Sequence, residues 1–189
     1  VYYFFNGIAN TQIQNHSKAI ISLEMGLEFV LDNNDLLLQF YSALGDNYHS
    51  LNKHEKSDSL YNLALIIDPD NVQVLNNYSY YLCLRKHKLD IAIKMSKRSN
   101  ELSKNNASFQ DTYAWILYQQ GKYDEAKKWL KLAYENGGKN SSVITEHLGD
   151  VYYQLGDKEK ALIFWNKSKD LGKGSGFLDK KITQKMLYE

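Results

Sequence analysis

Apolar residues recur along this chain at three- and four-residue intervals and rarely alternate. Tyr41, Leu44 and Tyr48 fall on one face of a helix, as do Leu148 and Tyr152. Leu and Lys are plentiful, proline occurs once, at Pro69, and glycines such as Gly121 and Gly156 stand between the periodic stretches, which favours helix over sheet. The pattern predicts ten helices, over residues 1–13, 16–31, 35–51, 55–67, 71–84, 88–103, 107–120, 123–135, 142–155 and 158–171. Stop signals agree with these limits. Gly121 and Gly156 stand where a left-handed residue closes a helix, Pro69 follows a helix end, and Asn105-Asn106 and Asn136-Gly137-Gly138 mark breaks. A last segment carries Phe177, Leu178, Ile182, Met186 and Leu187 as an apolar stripe with lysines opposite, and reads as a capping helix over 176–189.

Two rows of small residues organise these helices. Gly45, Ser79, Ala114 and Gly149 are spaced by 34, 35 and 35 positions, and Ser57, Ala92, Ala126 and Ala161 by 35, 34 and 35. Each row fits the crossing point of two antiparallel helices, where a bulky side chain would hold the backbones apart. The period is that of a helix pair repeated along a solenoid.

On these residues the chain resembles the tetratricopeptide repeat family. Tyr41, Leu44-Gly45, Tyr48, Ala64 and Pro69 fit its pattern in the second unit, Tyr113-Ala114, Ala126, Leu130 and Ala133 in the fourth, and Leu148-Gly149, Tyr152, Ala161 and Trp165 in the fifth. The first unit aligns through Tyr3, Gly7, Ala19, Leu23 and Gly26, with about four extra residues before the second. The third has Ser79 in place of glycine and one extra residue near Lys86 to Leu89. The resemblance implies an all-α, right-handed superhelical solenoid of about five helix pairs with a C-terminal capping helix. Its repeats would run approximately 1–34, 38–71, 72–106, 107–140 and 142–175 in a single domain.

Composition narrows the partners. A net charge of +1 without a long basic run gives no reason to expect nucleic acid, and the apolar stretches are too short to cross a bilayer. The single cysteine, Cys83, allows neither an internal disulfide nor a multi-cysteine zinc site. The start at Val1 and the crowded Tyr2, Tyr3, Phe4 and Phe5 suggest a C-terminal piece of a longer protein with more repeats upstream, or a cluster for self-association. Stretches such as Asp111-Thr112-Tyr113-Ala114-Trp115 resemble bacterial repeat proteins, some of them cell-envelope lipoproteins, which favours a periplasmic or envelope location over the cytoplasm.

The resemblance also implies that the first helix of each pair builds a concave wall. The positions it assigns to that wall include Asp46, His49, Asn76, Asn77, Tyr80, Asp111, Trp115, Tyr118, Glu146, His147, Asp150 and Tyr153, and none is Lys or Arg. Gln39, Ser42 and Gln73 belong to the same wall. Basic residues such as Lys94, Arg98, Lys128 and Lys131 fall on the second helices, the convex side. An acidic, aromatic groove of this kind suits a neutral or cationic extended peptide, with Asn76 and Asn77 bonding its backbone. It lacks the cations with which chaperone-binding tetratricopeptide domains clamp a terminal carboxylate. Other readings stand beside this one. Trp115 and Tyr118 fit equally between adjacent helices, the acids fit as solvated or internally paired groups, and Asp111 and Glu146 suit a helix N-terminal turn.

No arrangement points to catalysis, a metal or a cofactor. His16, His49, His54, His87 and His147 do not form a metalloprotease pattern, and His49 beside Asp46 reads as a structural pair. Gly172 to Gly176 has no phosphate-loop spacing and reads as a flexible link. The expectation is a non-catalytic protein- or peptide-binding scaffold. The alternatives are an accessory region of a larger enzyme and a self-associating module.

Overall fold

The structure, a computed structural model, describes residues 2–30, 32–172 and 174–188. Val1 and Leu31, at ends of two expected helices, Lys173 in the expected link and Glu189 at the end of the expected cap lie outside the described residues. Among the described residues there are eleven α-helices and no strand. They are α1 (Tyr2–Gln12), α2 (His16–Leu27), α3 (Asn34–Ser50), α4 (His54–Ile67), α5 (Val72–Leu84), α6 (Leu89–Leu102), α7 (Ala107–Gln119), α8 (Tyr123–Glu135), α9 (Ser142–Gln154), α10 (Lys158–Leu171) and α11 (Leu178–Gln184).

Odd-numbered helices α1 to α9 are the first members, A, of five pairs, and even-numbered helices α2 to α10 the second members, B. The turn between them is built the same way five times. The residue seven places beyond the first-row small residue is left-handed in each: Gln14, Asn52, Lys86, Gly121 and Gly156 at φ 59, 58, 50, 75 and 85°. The next amide closes the helix end by bonding back five residues, as in Lys122 N–H to Leu117 C=O and Asp157 N–H to Tyr152 C=O, both at 2.9 Å. Helix starts are fixed by side-chain oxygens: Asn33, Asn106, Ser141 and Asp157 each accept from an amide in the first turn.

The chain divides into two compact units, one ending at Tyr81 and the other beginning at Leu82. In the first, α1 packs on α2, α2 on α3 and α3 on α4. Its core joins Ile20, Leu23, Phe40, Leu44 and Tyr48, with Phe4, Ile8, Leu27 and Leu60 packed against them. In the second, α6 meets α7, α7 pairs with α8, α8 meets α9, α9 pairs with α10, and α11 lies on α10. Ile116, Leu117, Leu130, Leu148, Val151 and Trp165 are each no more than 2% exposed at its centre.

The small-residue rows pack as the sequence requires. Ala19, Ser57, Ala92, Ala126 and Ala161 are all buried, and Ser57 Oγ–H donates to Gly45 C=O at 2.8 Å. A Cβ on Gly149 would stand 2.3 Å from Trp165 Cδ1, and one on Gly45 2.8 Å from Tyr61 Cε2. Each glycine therefore admits a large side chain from four positions beyond the small residue of its partner helix.

Two boundaries differ from expectation. α2 stops at Leu27, and Phe29 and Val30 instead bond back three residues, to Gly26 and Leu27. The cap is also shorter, because α11 ends at Gln184 where Lys185 turns left-handed at φ 53°. Its lysines are not all opposite the apolar stripe. Lys181 is buried beside Leu178, whereas Phe177 and Met186 are exposed. The extra residue of the third pair is taken up by a second left-handed position, Lys88 at φ 48°.

Candidate functional site

The twelve residues expected on the concave wall divide between the two units. In the first unit, Asp46 lies in α3 and accepts hydrogen bonds from Tyr61 O–H of α4 and from Tyr81 O–H at 3.0 Å. Burial raises its pKa above the ordinary carboxylate value, against the pull of those two bonds. His49, one turn on, stacks on Tyr81 with ring centroids 3.8 Å apart. Asn76 is buried and its Nδ2–H donates to Asn77 Oδ1 at 3.3 Å, and Tyr80 and Asn77 are half-buried.

In the second unit the expected residues form two linked clusters. His147 Nδ1 lies 2.8 Å from Asp111 Oδ1, and its ring stacks on Trp115 at 3.8 Å, which in turn stacks on Tyr118 at 4.4 Å. Burial alone would lower the His147 pKa, but the Asp111 carboxylate, with Asp150 and Glu146 beyond it, outweighs that effect and raises it. Trp115 and Tyr118 are 9% and 3% exposed, so they pack within the unit. Tyr153 is half-buried and stacks on Trp165 at 5.6 Å.

The second cluster belongs to the cap. Lys181 of α11 brings its ammonium within 2.8 Å of Glu146 Oε1 and of both Asp150 oxygens, and Trp165 Nε1–H donates to Asp150 at 2.8 Å. Ser175 completes the site, its backbone N–H donating to Glu146 Oε2 at 2.7 Å and its hydroxyl to Oε1. Glu146 and Asp150 are 3% and 2% exposed. Burial would raise Glu146, but Lys181 and the Ser175 bonds prevail and hold it below the ordinary value. Burial pushes Asp150 up to about 6 against the same lysine. All four carboxylates of the expected wall are thus answered by donors inside the chain.

An open concavity is found in the first unit. A groove of about 270 Å³ runs between α1, α3 and α5. Phe4, Ile8, Leu38, Ala43 and Val74 form its apolar walls, while Gln39, Ser42, Asn71, Gln73 and Asn77 supply amides and a hydroxyl. Asp46, held by its tyrosines, is the one charged side chain lining it. Sequence reasoning placed Gln39, Ser42, Gln73 and Asn77 on this wall, but Phe4, Ile8 and Leu38 carry no signal beyond helical periodicity. The internal donors were missed too. Their signal is a spacing, since Tyr61 follows Asp46 and Trp165 follows Asp150 by fifteen residues each.

Cys83 is fully buried, and burial, with Asp111 adding to it, pushes its thiol up to about 12. Among the described residues no group of three or more His, Cys, Asp or Glu side chains is placed to hold a metal ion, and no helix is long and apolar enough to cross a membrane.

The profile of the tetratricopeptide repeat matches residues 38–71, 107–136 and 146–171. The chain is 25% identical over 150 residues to the TPR repeat-containing protein PA4667 of Pseudomonas aeruginosa, an alignment covering 78% of this chain and 24% of that protein. The chain therefore spans about a quarter of the length of that relative. Among solved structures, TTC0263, a thermophilic TPR protein of Thermus thermophilus, superposes with a TM-score of 0.79 at 15% identity, covering 99% of this chain and 98% of that one. The pilF structure of Pseudomonas aeruginosa gives a TM-score of 0.79 at 19% identity, covering 97% and 82%. At these identities the likeness is one of fold.

Proposed function

The chain being built of tetratricopeptide repeats, we propose that it is a protein-binding scaffold with no catalytic role of its own, and that the groove of the first unit receives an extended segment of a partner. The observation that carries this reading is the chemistry of that groove: apolar walls from Phe4, Ile8, Leu38 and Val74 beneath a row of uncharged amides and a hydroxyl. An extended backbone has unpaired N–H and C=O groups, and Gln39, Gln73 and Asn77 offer both donors and acceptors to them. An apolar side chain of the segment would enter between Leu38 and Val74, removing apolar surface from water on both partners. Asp46 at the groove and the absence of Lys or Arg from its lining favour a neutral or basic segment over an acidic one. The non-catalytic reading is supported by the state of the reactive groups. Cys83 is buried with a raised pKa, and His147 is engaged by Asp111 and Trp115.

The test is a panel of short extended peptides that share one central apolar residue and differ in net charge. Neutral and basic members should bind the wild-type chain and lose binding to a Leu38→Glu variant whose helical circular dichroism is unchanged. Equal binding to both proteins, or no binding by any member, would remove the groove as the site.

A further inference from the structure

The groove of the first unit does not end at Leu38. A second concavity, about 640 Å³ in volume, adjoins it and shares Leu38, Gln39 and Asn71 with it. Beyond those three residues the chemistry changes. Asn34, Asp35 and Asp68 line the second concavity, and among the described residues no Lys, Arg or His does. The apolar walls at Leu38 and Val74 thus give way, one helical turn toward the start of α3, to two carboxylates.

The two acids are held differently, and among the described residues no cation pairs with either. Asp35 stands exposed in the first turn of α3. Asp68 closes α4, where its Oδ1 accepts from Asp70 N–H at 3.1 Å and its Oδ2 from Asn71 Nδ2–H at 3.2 Å. Asn71 is fixed in turn, since its Oδ1 accepts from Val74 N–H at 3.2 Å. Both donors to Asp68 are uncharged, so they orient the carboxylate without cancelling its charge, and each oxygen keeps a lone pair. This separates the pair from Glu146 and Asp150, whose charge Lys181 answers. Asp46 lies at the other end of the groove, about three turns further along α3, with one oxygen shared by two tyrosines.

We propose that the second concavity reads a cation, so that the segment received by the groove carries a lysine or arginine two positions from its apolar anchor. This rests on the groove being the binding site. The spacing comes from two periodicities. Asp35 precedes Leu38 by three residues on α3, which places them about 4.5 Å apart along the helix. An extended segment rises about 3.3 Å per residue and turns successive side chains to opposite faces, so the next side chain on the anchor's own face stands two residues away, about 6.6 Å along. The residue between them points out of the groove. The stem of a lysine or arginine at that second position lies along Leu38 and sets its charged end at Asp35 and Asp68. An acidic residue in the same place would meet two like charges, which excludes acidic segments.

The test is calorimetric titration with extended peptides of equal net charge and one central leucine, in which a single lysine stands one, two or three positions to either side of it. The wild-type chain should bind the member with lysine two positions away, on one side of the leucine, about three- to fivefold more tightly than the rest, as an exposed ion pair allows. High salt should erase that preference. Asp35→Asn, at an exposed position, should reduce it, and adding Asp68→Asn should remove it with the helical circular dichroism retained. A leucine peptide without lysine should bind the wild type and the double variant alike. Equal binding at every lysine position, tightest binding at another position, or a preference that survives both substitutions would overturn the inference and leave the groove in place. No binding by any member would overturn the groove and this inference with it.

Discussion

Lys181 sets its ammonium 2.8 Å from both carboxylate oxygens of Asp150, where the next helix of the series would otherwise bring a donor. Asp46 holds the same register position three pairs earlier and is clasped by the same plan, with Tyr61 of its own pair in the place of Trp165 and Tyr81 of α5 in the place of Lys181. A carboxylate beside the small residue thus joins the two helices of its own pair and the element that follows. In the last pair that element is the cap.

Removing the cation from this clasp should be costly. Lys181→Met keeps the length of the side chain but leaves two carboxylates, 3% and 2% exposed, without their shared counter-ion. Breaking a buried pair from one side costs about 3–5 kcal/mol. Urea melting of the variant should show a clearly lower midpoint, and adding Glu146→Gln with Asp150→Asn should recover much of the loss. An unchanged midpoint for the single variant would mean that α11 contributes nothing to the stability of the second unit.

The five left-handed turns allow a prediction of opposite sign. Lys86 pays a steric cost at φ 50° that Gly121 and Gly156 avoid in the same motif. Lys86→Gly should stabilise the chain by about 1 kcal/mol, and Gly121→Ala, with φ at 75° and open space around the new Cβ, should destabilise it by a similar amount. Thermal melting of the two variants checks both. Matching shifts of the same sign would show that side-chain contacts, and not backbone conformation, govern the turn.

Much of this architecture was legible because packing and turn closure each restrict which residues a position accepts. Gly45, Gly149, Ala126 and Ala161 must be small where Tyr61 and Trp165 enter, so the period is written in residue size. The concave wall was less legible. The family resemblance assigns Asp46, Asp111, Glu146 and Asp150 to one wall, but whether that wall meets solvent at each of them depends on donors far along the chain, such as Tyr81, His147 and Lys181. Residue type has the same ambiguity at Trp115, which reads equally as a binding surface or as the platform for His147. The end of α2 was misplaced because Glu28, Phe29 and Val30 continue the helical pattern while the backbone leaves it.

The His147 cluster predicts how stability varies with pH. Asp111 raises the folded-state pKa of His147 above its ordinary value, so the folded chain binds the proton more tightly than the unfolded one. The resulting stabilisation is fully present below about 6.5, the ordinary histidine value, and is lost as pH rises through the folded value. Melting temperature should therefore fall between mildly acidic and mildly alkaline buffer, and His147→Gln should flatten that slope. A wild-type slope of the opposite sign would place the proton elsewhere.

Asp46 separates a structural carboxylate from a binding one, because it both lines the groove and closes the clasp. If its role is the clasp, Asp46→Leu removes the acceptor that the Tyr61 and Tyr81 hydroxyls share, and losing that buried acceptor costs about 1–3 kcal/mol. Asp46→Asn retains an acceptor oxygen and should cost less, since either tyrosine can still donate to it. Because burial already raises the Asp46 pKa, the neutral amide also avoids the desolvation that the carboxylate suffers. Binding should respond differently. A neutral peptide held by Leu38, Val74 and the Gln73 and Asn77 amides should bind Asp46→Asn as it binds the wild type, whereas a basic peptide drawn by the charge should bind it more weakly. Calorimetric titration of both peptides, paired with urea melting of both variants, distinguishes the roles: a large loss for the neutral peptide with no change in melting would make Asp46 a contact residue and not a clasp.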